Sequence, residues 1–120
     1  MNKSHVIGRE AENRAIQYLI SKGYHILVQN FYYRKAEIDI NARKNNLLVV
    51  IEVKARSSKV FGAPESFVST KKMKLLRMAI DAYVTNNNLD VEVRFDIISY
   101  VINGKNWQQN HIENAFYPFN

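Results

Sequence analysis

The chain has 120 residues and no cysteine, and its 17 Lys and Arg against 11 Asp and Glu give a formal charge of +6. Disulfides, zinc ribbons and thiol catalysis are excluded, and a composition 47% hydrophobic and 23% charged excludes a disordered chain. The opening MNKSHVIGRE lacks an apolar signal core and no apolar run approaches membrane-spanning length, so a soluble, cytoplasmic protein without a membrane partner is expected.

The first element reads as a helix from Ser4 or His5 to Lys22, capped by Ser4 and stopped by Gly23. Ile7, Ala11, Ala15, Tyr18 and Leu19 form its apolar stripe, and Glu12 lies beside that stripe. Three strands follow over 24–33, 36–44 and 47–55, with Asn45-Asn46 as the turn between the second and third. Gly62 and Pro64 mark a loop. A second helix starts at a Ser69 or Thr70 cap and runs to about Thr85, with Met73, Leu76, Ile80, Tyr83 and Val84 at helical spacing. Asn86-Asn87-Asn88 ends it. Strands over 91–102 and 105–112, joined by an Asn103-Gly104 turn, close the chain. The order αβββαββ predicts an α/β or α+β fold: one mixed sheet with helices on its faces.

Two short strings stand out on these strands. Glu37-Ile38-Asp39 and Glu52-Val53-Lys54 each carry charges at i and i+2, which a regular strand points to one side. The second string ends the run Leu47-Leu48-Val49-Val50-Ile51, whose apolar, β-branched character suits a strand covered on both faces. Acids and lysines buried there need a compensating partner. A divalent metal with a phosphate supplies one, because magnesium prefers one or two carboxylates plus phosphate and water. Asp39 and Glu52 are the candidate metal ligands. Lys54 is placed to orient water or to neutralise charge on the phosphate, and Glu37 and Glu12 are further acids for the site. The plainer reading is an ion pair of Glu52 or Asp39 with Lys54 or Arg34.

The charge is concentrated. Between residues 54 and 77, Lys54, Arg56, Lys59, Lys71, Lys72, Lys74 and Arg77 face only Glu65, a surplus of six. Such a segment points to a polyanion, nucleic acid first and an anionic membrane surface second. Lys71, Lys72 and Lys74 crowd the start of the second helix, where its dipole disfavours cations by ~0.3–1 kcal/mol each. An arriving phosphate would relieve that cost. Lys72 and Lys74 are the favoured backbone contacts, with Arg56, Lys71 and Arg77 alongside. The string Asn30-Phe31-Tyr32-Tyr33-Arg34 reads as half core and half edge strand, with base stacking as the alternative. His5, His25 and His111 show no metal-ligand spacing, no Ser-His-Asp arrangement is apparent, and no glycine-rich phosphate loop is present.

Read in order, Gly8-x-x-x-Glu12-x-x-Ala15, Gly23-Tyr24, Asn30-Phe31, Glu37-Ile38-Asp39, Glu52-Val53-Lys54-x-Arg56, Phe61-Gly62, Lys72, Arg94-Phe95-Asp96 and Asn114-Ala115-Phe116 resemble the small bacterial YraN family. That family is similar in turn to Holliday-junction resolvases and to the PD-(D/E)XK nucleases. The resemblance covers nearly the whole chain and implies a single restriction-endonuclease-like domain over 1–120. It implies that Asp39, Glu52 and Lys54 form a metal-dependent nuclease triad, with Glu12 as an additional acid. Ala11 and Ala36 stand where the family usually has glycine. The expected function is a magnesium-dependent endonuclease, manganese being an alternative metal, acting on DNA that is branched or contains junctions. RNA is left open, and symmetric cutting of a junction calls for a homodimer. The rival expectations are an inactive nucleic-acid-binding module and a regulatory protein-interaction domain whose acids sit in ion pairs.

Overall fold

The computed structural model describes residues 3–58 and 68–117. Its elements are α1 (Lys3–Ser21), β1 (His25–Tyr33), β2 (Ala36–Lys44), β3 (Leu47–Ser57), α2 (Thr70–Asn86), β4 (Glu92–Asn103) and β5 (Asn106–Phe116). The expected αβββαββ order is met in a mixed α/β fold. Lys59, Phe61, Gly62, Pro64 and Glu65 of the anticipated loop lie outside the described residues, as does the side chain of Ser4. Among the described residues no helix is long and apolar enough to cross a membrane.

Both helices stop by the same device. Gly23 adopts φ 92, its N–H donates to the Ile20 carbonyl, and the Tyr24 N–H donates to Leu19, each at 3.0 Å. These two bonds satisfy carbonyls that the helix end would leave open. Tyr24 then packs with Leu19 in the core. At the end of α2, Asn88 takes glycine's place with φ 52. Its N–H reaches Thr85 at 3.2 Å, and that of Leu89 reaches Val84 at 3.0 Å. Asn is among the few residues that tolerate this backbone. At the start of α2 it is Ser69 that caps, its Oγ accepting the Lys72 N–H at 3.1 Å.

The sheet runs β1-β2-β3-β4-β5. All neighbours are antiparallel except β3 and β4, whose parallel pairing requires the crossover that α2 provides. Central β3 is buried on both sides. Leu48 and Val50 pack toward α2 with Leu76, Ala79 and Ile80, while Val49 and Ile51 pack toward α1 with Ala11, Ala15 and Leu19. Each such burial contributes roughly 1.5–3 kcal/mol, which is why the run shows no polar alternation. Ala11 and Ala36 are themselves buried, one in each core layer, so their methyl groups are part of the packing.

Three local expectations are corrected. The β4–β5 turn is Gly104-Lys105, one residue later than read, with Gly104 at φ 63 and Asn103 paired to Asn106. Strand β5 continues to Phe116, which packs in the α2-side core. The third concerns β2. Ile38 packs on the α2 side and Ile40 on the α1 side, although residues two apart in a regular strand share a face. The alternation breaks at Asp39, where the β2–β3 ladder also ends, at the Ile40–Ile51 pair. Across β1, Asn30 has φ 55 and the register slips between Ile26 and Val28. Glu37 and Asp39 therefore do not project from one regular sheet face.

A buried polar network ties the last strand to α1. Asp96 accepts from Arg94 Nε and Nη2 and bonds His111 Nε2, all at 2.8 Å, and accepts the Asn114 N–H at 3.0 Å. His111 Nδ1 meets the Tyr18 hydroxyl at 2.8 Å, and Arg94 Nη2 donates to the Tyr24 hydroxyl at 2.9 Å. Burial alone would raise the Asp96 pKa, but the bonds from His111, Arg94 and Asn114 outweigh it and hold it below the ordinary value. His111, which lacked ligand spacing in the sequence, has this structural role.

Candidate active site

The site forms where β2 and β3 part. Beyond the Ile40–Ile51 pair, the Val53 N–H of β3 has no strand partner on that side, and Asp39 Oδ2 accepts it at 2.9 Å. A carboxylate thus substitutes for a ladder bond. Glu52 lies next to it at the end of the apolar run, with only 2% of its side chain exposed. Burial first, and then hydrogen bonding to and the charge of Glu52, raise the Asp39 carboxyl far above its ordinary range. A proton on Asp39 relieves that repulsion where no cation does so.

Glu12 reaches the same region from α1. Its pKa is raised by burial and then by the charge of Glu37, with Glu52 adding to it. Asn30 stands between the outer acids. With its amide nitrogen turned toward them, it donates to Glu37 Oε2 and Glu12 Oε1, each at 3.2 Å. Four acids from α1, β2 and β3 therefore converge electrostatically. Sequence reasoning did not single out Asn30 as an organiser of this cluster. Its signals are its place in the Asn30-Phe31 motif and a residue type that tolerates positive φ.

The lysines divide. Lys72 lies four residues before Leu76 and seven before Ala79, on the buried side of α2, and its Nζ sits 2.6 Å from Glu52 Oε2. Burial works against the Lys72 charge, but Glu52 and then Asp39 outweigh it and raise its pKa. The contact is one of charge and proximity, since Glu52 Oε2 is buried without a well-directed hydrogen bond. The anticipated ion pair of Glu52 thus exists, with Lys72 as the partner and not Lys54 or Arg34. Lys54 is half-buried on the Glu52 side of β3, opposite Ser99 of β4, and Arg56 follows it, also half-buried. Lys71, Lys74 and Arg77 face solvent, Arg77 lying 3.8 Å from Asp81.

Two hollows flank the site. The smaller, about 270 Å³, is lined by Lys35, Glu37, Ser69, Lys71 and Lys72. The larger, about 730 Å³, lies between α1 and the ends of β3 and β4, against Lys54, Arg56 and Trp107 but none of the acids.

Among the described residues, no three or more His, Asp or Glu side chains form a ready-made metal cage. The donor set is the Asp39–Glu52 pair. Its oxygens are hard ligands, Glu52 Oε2 lacks a hydrogen bond, and the two acids repel one another, so a small divalent cation fits what the pair lacks. A divalent cation held by such a pair would act as a Lewis acid on a phosphoryl oxygen.

Residues 11–100 match the profile described as "Uncharacterised protein family UPF0102", and the chain belongs to that family. It is 47% identical over 113 residues to a UPF0102 protein of Flavobacterium psychrophilum, covering 94% of this chain and 95% of the relative. A UPF0102 protein of Thermodesulfovibrio yellowstonii is 46% identical over 112 residues, 92% of this chain and 96% of the relative. One from Flavobacterium johnsoniae is 42% identical over 123 residues, covering 99% of this chain and all of the relative. The family-level expectation from the ordered motifs is met.

Proposed function

We propose that this chain is a divalent-metal-dependent endonuclease of the PD-(D/E)XK type, with a restriction-endonuclease-like fold, hydrolysing phosphodiester bonds in DNA. The observation that carries the reading is the buried Asp39–Glu52 pair at the parting of β2 and β3, with Lys54 two residues beyond Glu52 and a Glu52 oxygen that no hydrogen bond satisfies. Asp39 and Glu52 would hold magnesium, or manganese in its place, which when bound polarises phosphate oxygens and makes water a nucleophile at neutral pH. Lys54 neutralises charge developing on the phosphate or holds the attacking water. Glu12 and Glu37, linked through Asn30, fix the outer wall of the site. Lys71, Lys74, Arg77 and Arg56 grip the backbone without reading sequence. Branched or junction DNA is the substrate class favoured by the resemblance, RNA is the alternative polymer, and paired cuts would require a homodimer in the cytoplasm.

The Lys72–Glu52 contact favours one second reading, a protein-interaction domain whose acids are already paired. A labelled panel of duplex, single strand, flap and four-way junction separates the two. Metal-dependent cutting by wild type, lost in Glu52→Ala and in chelator, is the expected result. No cutting, with weak binding indifferent to salt, favours the second reading, because phosphate-contacting proteins lose affinity steeply as salt rises.

A further inference from the structure

Lys72 occupies the place where a metal's charge belongs. Its Nζ is 2.6 Å from a Glu52 oxygen that is buried and lacks a directed hydrogen bond. Magnesium binds carboxylate oxygens at about 2.0–2.1 Å, so cation and ammonium cannot share that oxygen without repelling one another. Glu52 is fixed, at 2% side-chain exposure, whereas Lys72 is 37% exposed and flexible. It also lines the hollow at the start of α2, shared with Lys35, Lys71 and the Glu37 carboxylate, so three lysines outnumber one acid there.

We propose that Lys72 is an internal counter-ion that competes with the divalent metal for Glu52, and that nucleic-acid phosphate draws it off into the adjacent hollow. Metal and nucleic acid then bind cooperatively, and the metal-free site is held closed until a polyanion arrives. The proposal rests on the metal-site reading above and names Lys72 as a positioning residue. Coupling of this kind typically changes affinity 5–150-fold, and because it is reciprocal each ligand tightens the other equally.

Free Mn²⁺ counted by electron paramagnetic resonance tests it without any activity readout. The samples are wild type, Lys72→Met and Lys105→Met, each with and without a short DNA duplex, against duplex alone as blank. The Lys105 variant makes the same charge change on the β4–β5 turn. Wild type is expected to bind Mn²⁺ weakly alone and about tenfold more tightly with duplex. Lys72→Met should bind tightly from the start and gain nothing from duplex, while Lys105→Met follows wild type. An Mn²⁺ affinity unchanged in Lys72→Met, equal tightening in both lysine variants, or a duplex effect absent or alike in wild type and Lys72→Met overturns the proposal. Wild-type binding that Glu52→Gln abolishes leaves the metal-site reading standing in those cases. If neither wild type nor Lys72→Met binds Mn²⁺, that reading falls and the proposal with it. Should Lys72→Met fold poorly, Lys72→Gln, which keeps a polar head beside Glu52, gives the same comparison.

Discussion

At the scale of single residues, Asp39 is held in place by one backbone bond and opposed by Glu52 first and then by Glu12. Asn at that position keeps an acceptor for the Val53 N–H and removes an acid that must take up a proton to sit beside Glu52. Asp39→Asn is therefore expected to abolish cleavage while stabilising the metal-free protein by about 1–2 kcal/mol. Melting both proteins in chelator checks this, and a lower melting temperature in the variant would make Asp39 a structural acid. Asp96 behaves in the opposite sense. Arg94, His111 and the Asn114 N–H face it directly, Tyr18 and Tyr24 stand behind these partners, and Glu113 lies 3.7 Å from Arg94. Its depressed pKa makes its contribution to stability complete above the unfolded value near 3.8 and lost as pH falls through the lower folded value. Asp96→Asn should cost about 3–5 kcal/mol at pH 7, by leaving Arg94 without its partner, and should flatten the acid limb of a melting-temperature profile. An unchanged acid limb would assign that loss to other carboxylates.

At the scale of elements, α2 does two jobs with one stripe. Leu76, Ala79 and Ile80 anchor it to the sheet, and one turn earlier the same stripe delivers Lys72 to Glu52. Leu76→Ala should cost about 2–5 kcal/mol by leaving a cavity, and Ser69→Ala about 0.5–2 kcal/mol by removing the cap. Chemical denaturation of the two variants checks both figures. The inward place of Lys72 is legible in the spacing Lys72–Leu76–Ala79–Ile80, yet the helix-dipole argument groups it with Lys71 and Lys74, which face outward. The double-sided burial of β3 is legible too, because an unbroken apolar run has only one strand environment that suits it. The break in β2 is not. Alternation is a rule for regular strands, and nothing in Glu37-Ile38-Asp39 reveals that Ile38 and Ile40 go to opposite cores or that Asn30 carries φ 55. Asp39 and Glu52 come together in sequence reading through chemistry, since buried acids need a partner, and not through geometry.

At the scale of the whole molecule, the charges of the site are sorted by depth. The acids lie inside where β2 and β3 part, one lysine reaches them, and Lys71, Lys74 and Arg77 remain on the surface of α2. A polyanion held by the outer cations would lie across the acids without touching them first. Replacing Lys71 and Lys74 with Ala should weaken duplex binding for every sequence tested, and should lower the slope of log affinity against log salt by about one per residue. A titration across salt concentrations measures this, and an unchanged slope would place the nucleic-acid face elsewhere. The function turns on what occupies the space between Asp39 and Glu52. Diffraction at the manganese edge from crystals grown with Mn²⁺ and a short DNA duplex decides it. The expected result is an anomalous peak bonded to both carboxylates, with the Lys72 ammonium moved away from Glu52. A map with no peak there, and Lys72 still resting on Glu52, would contradict it.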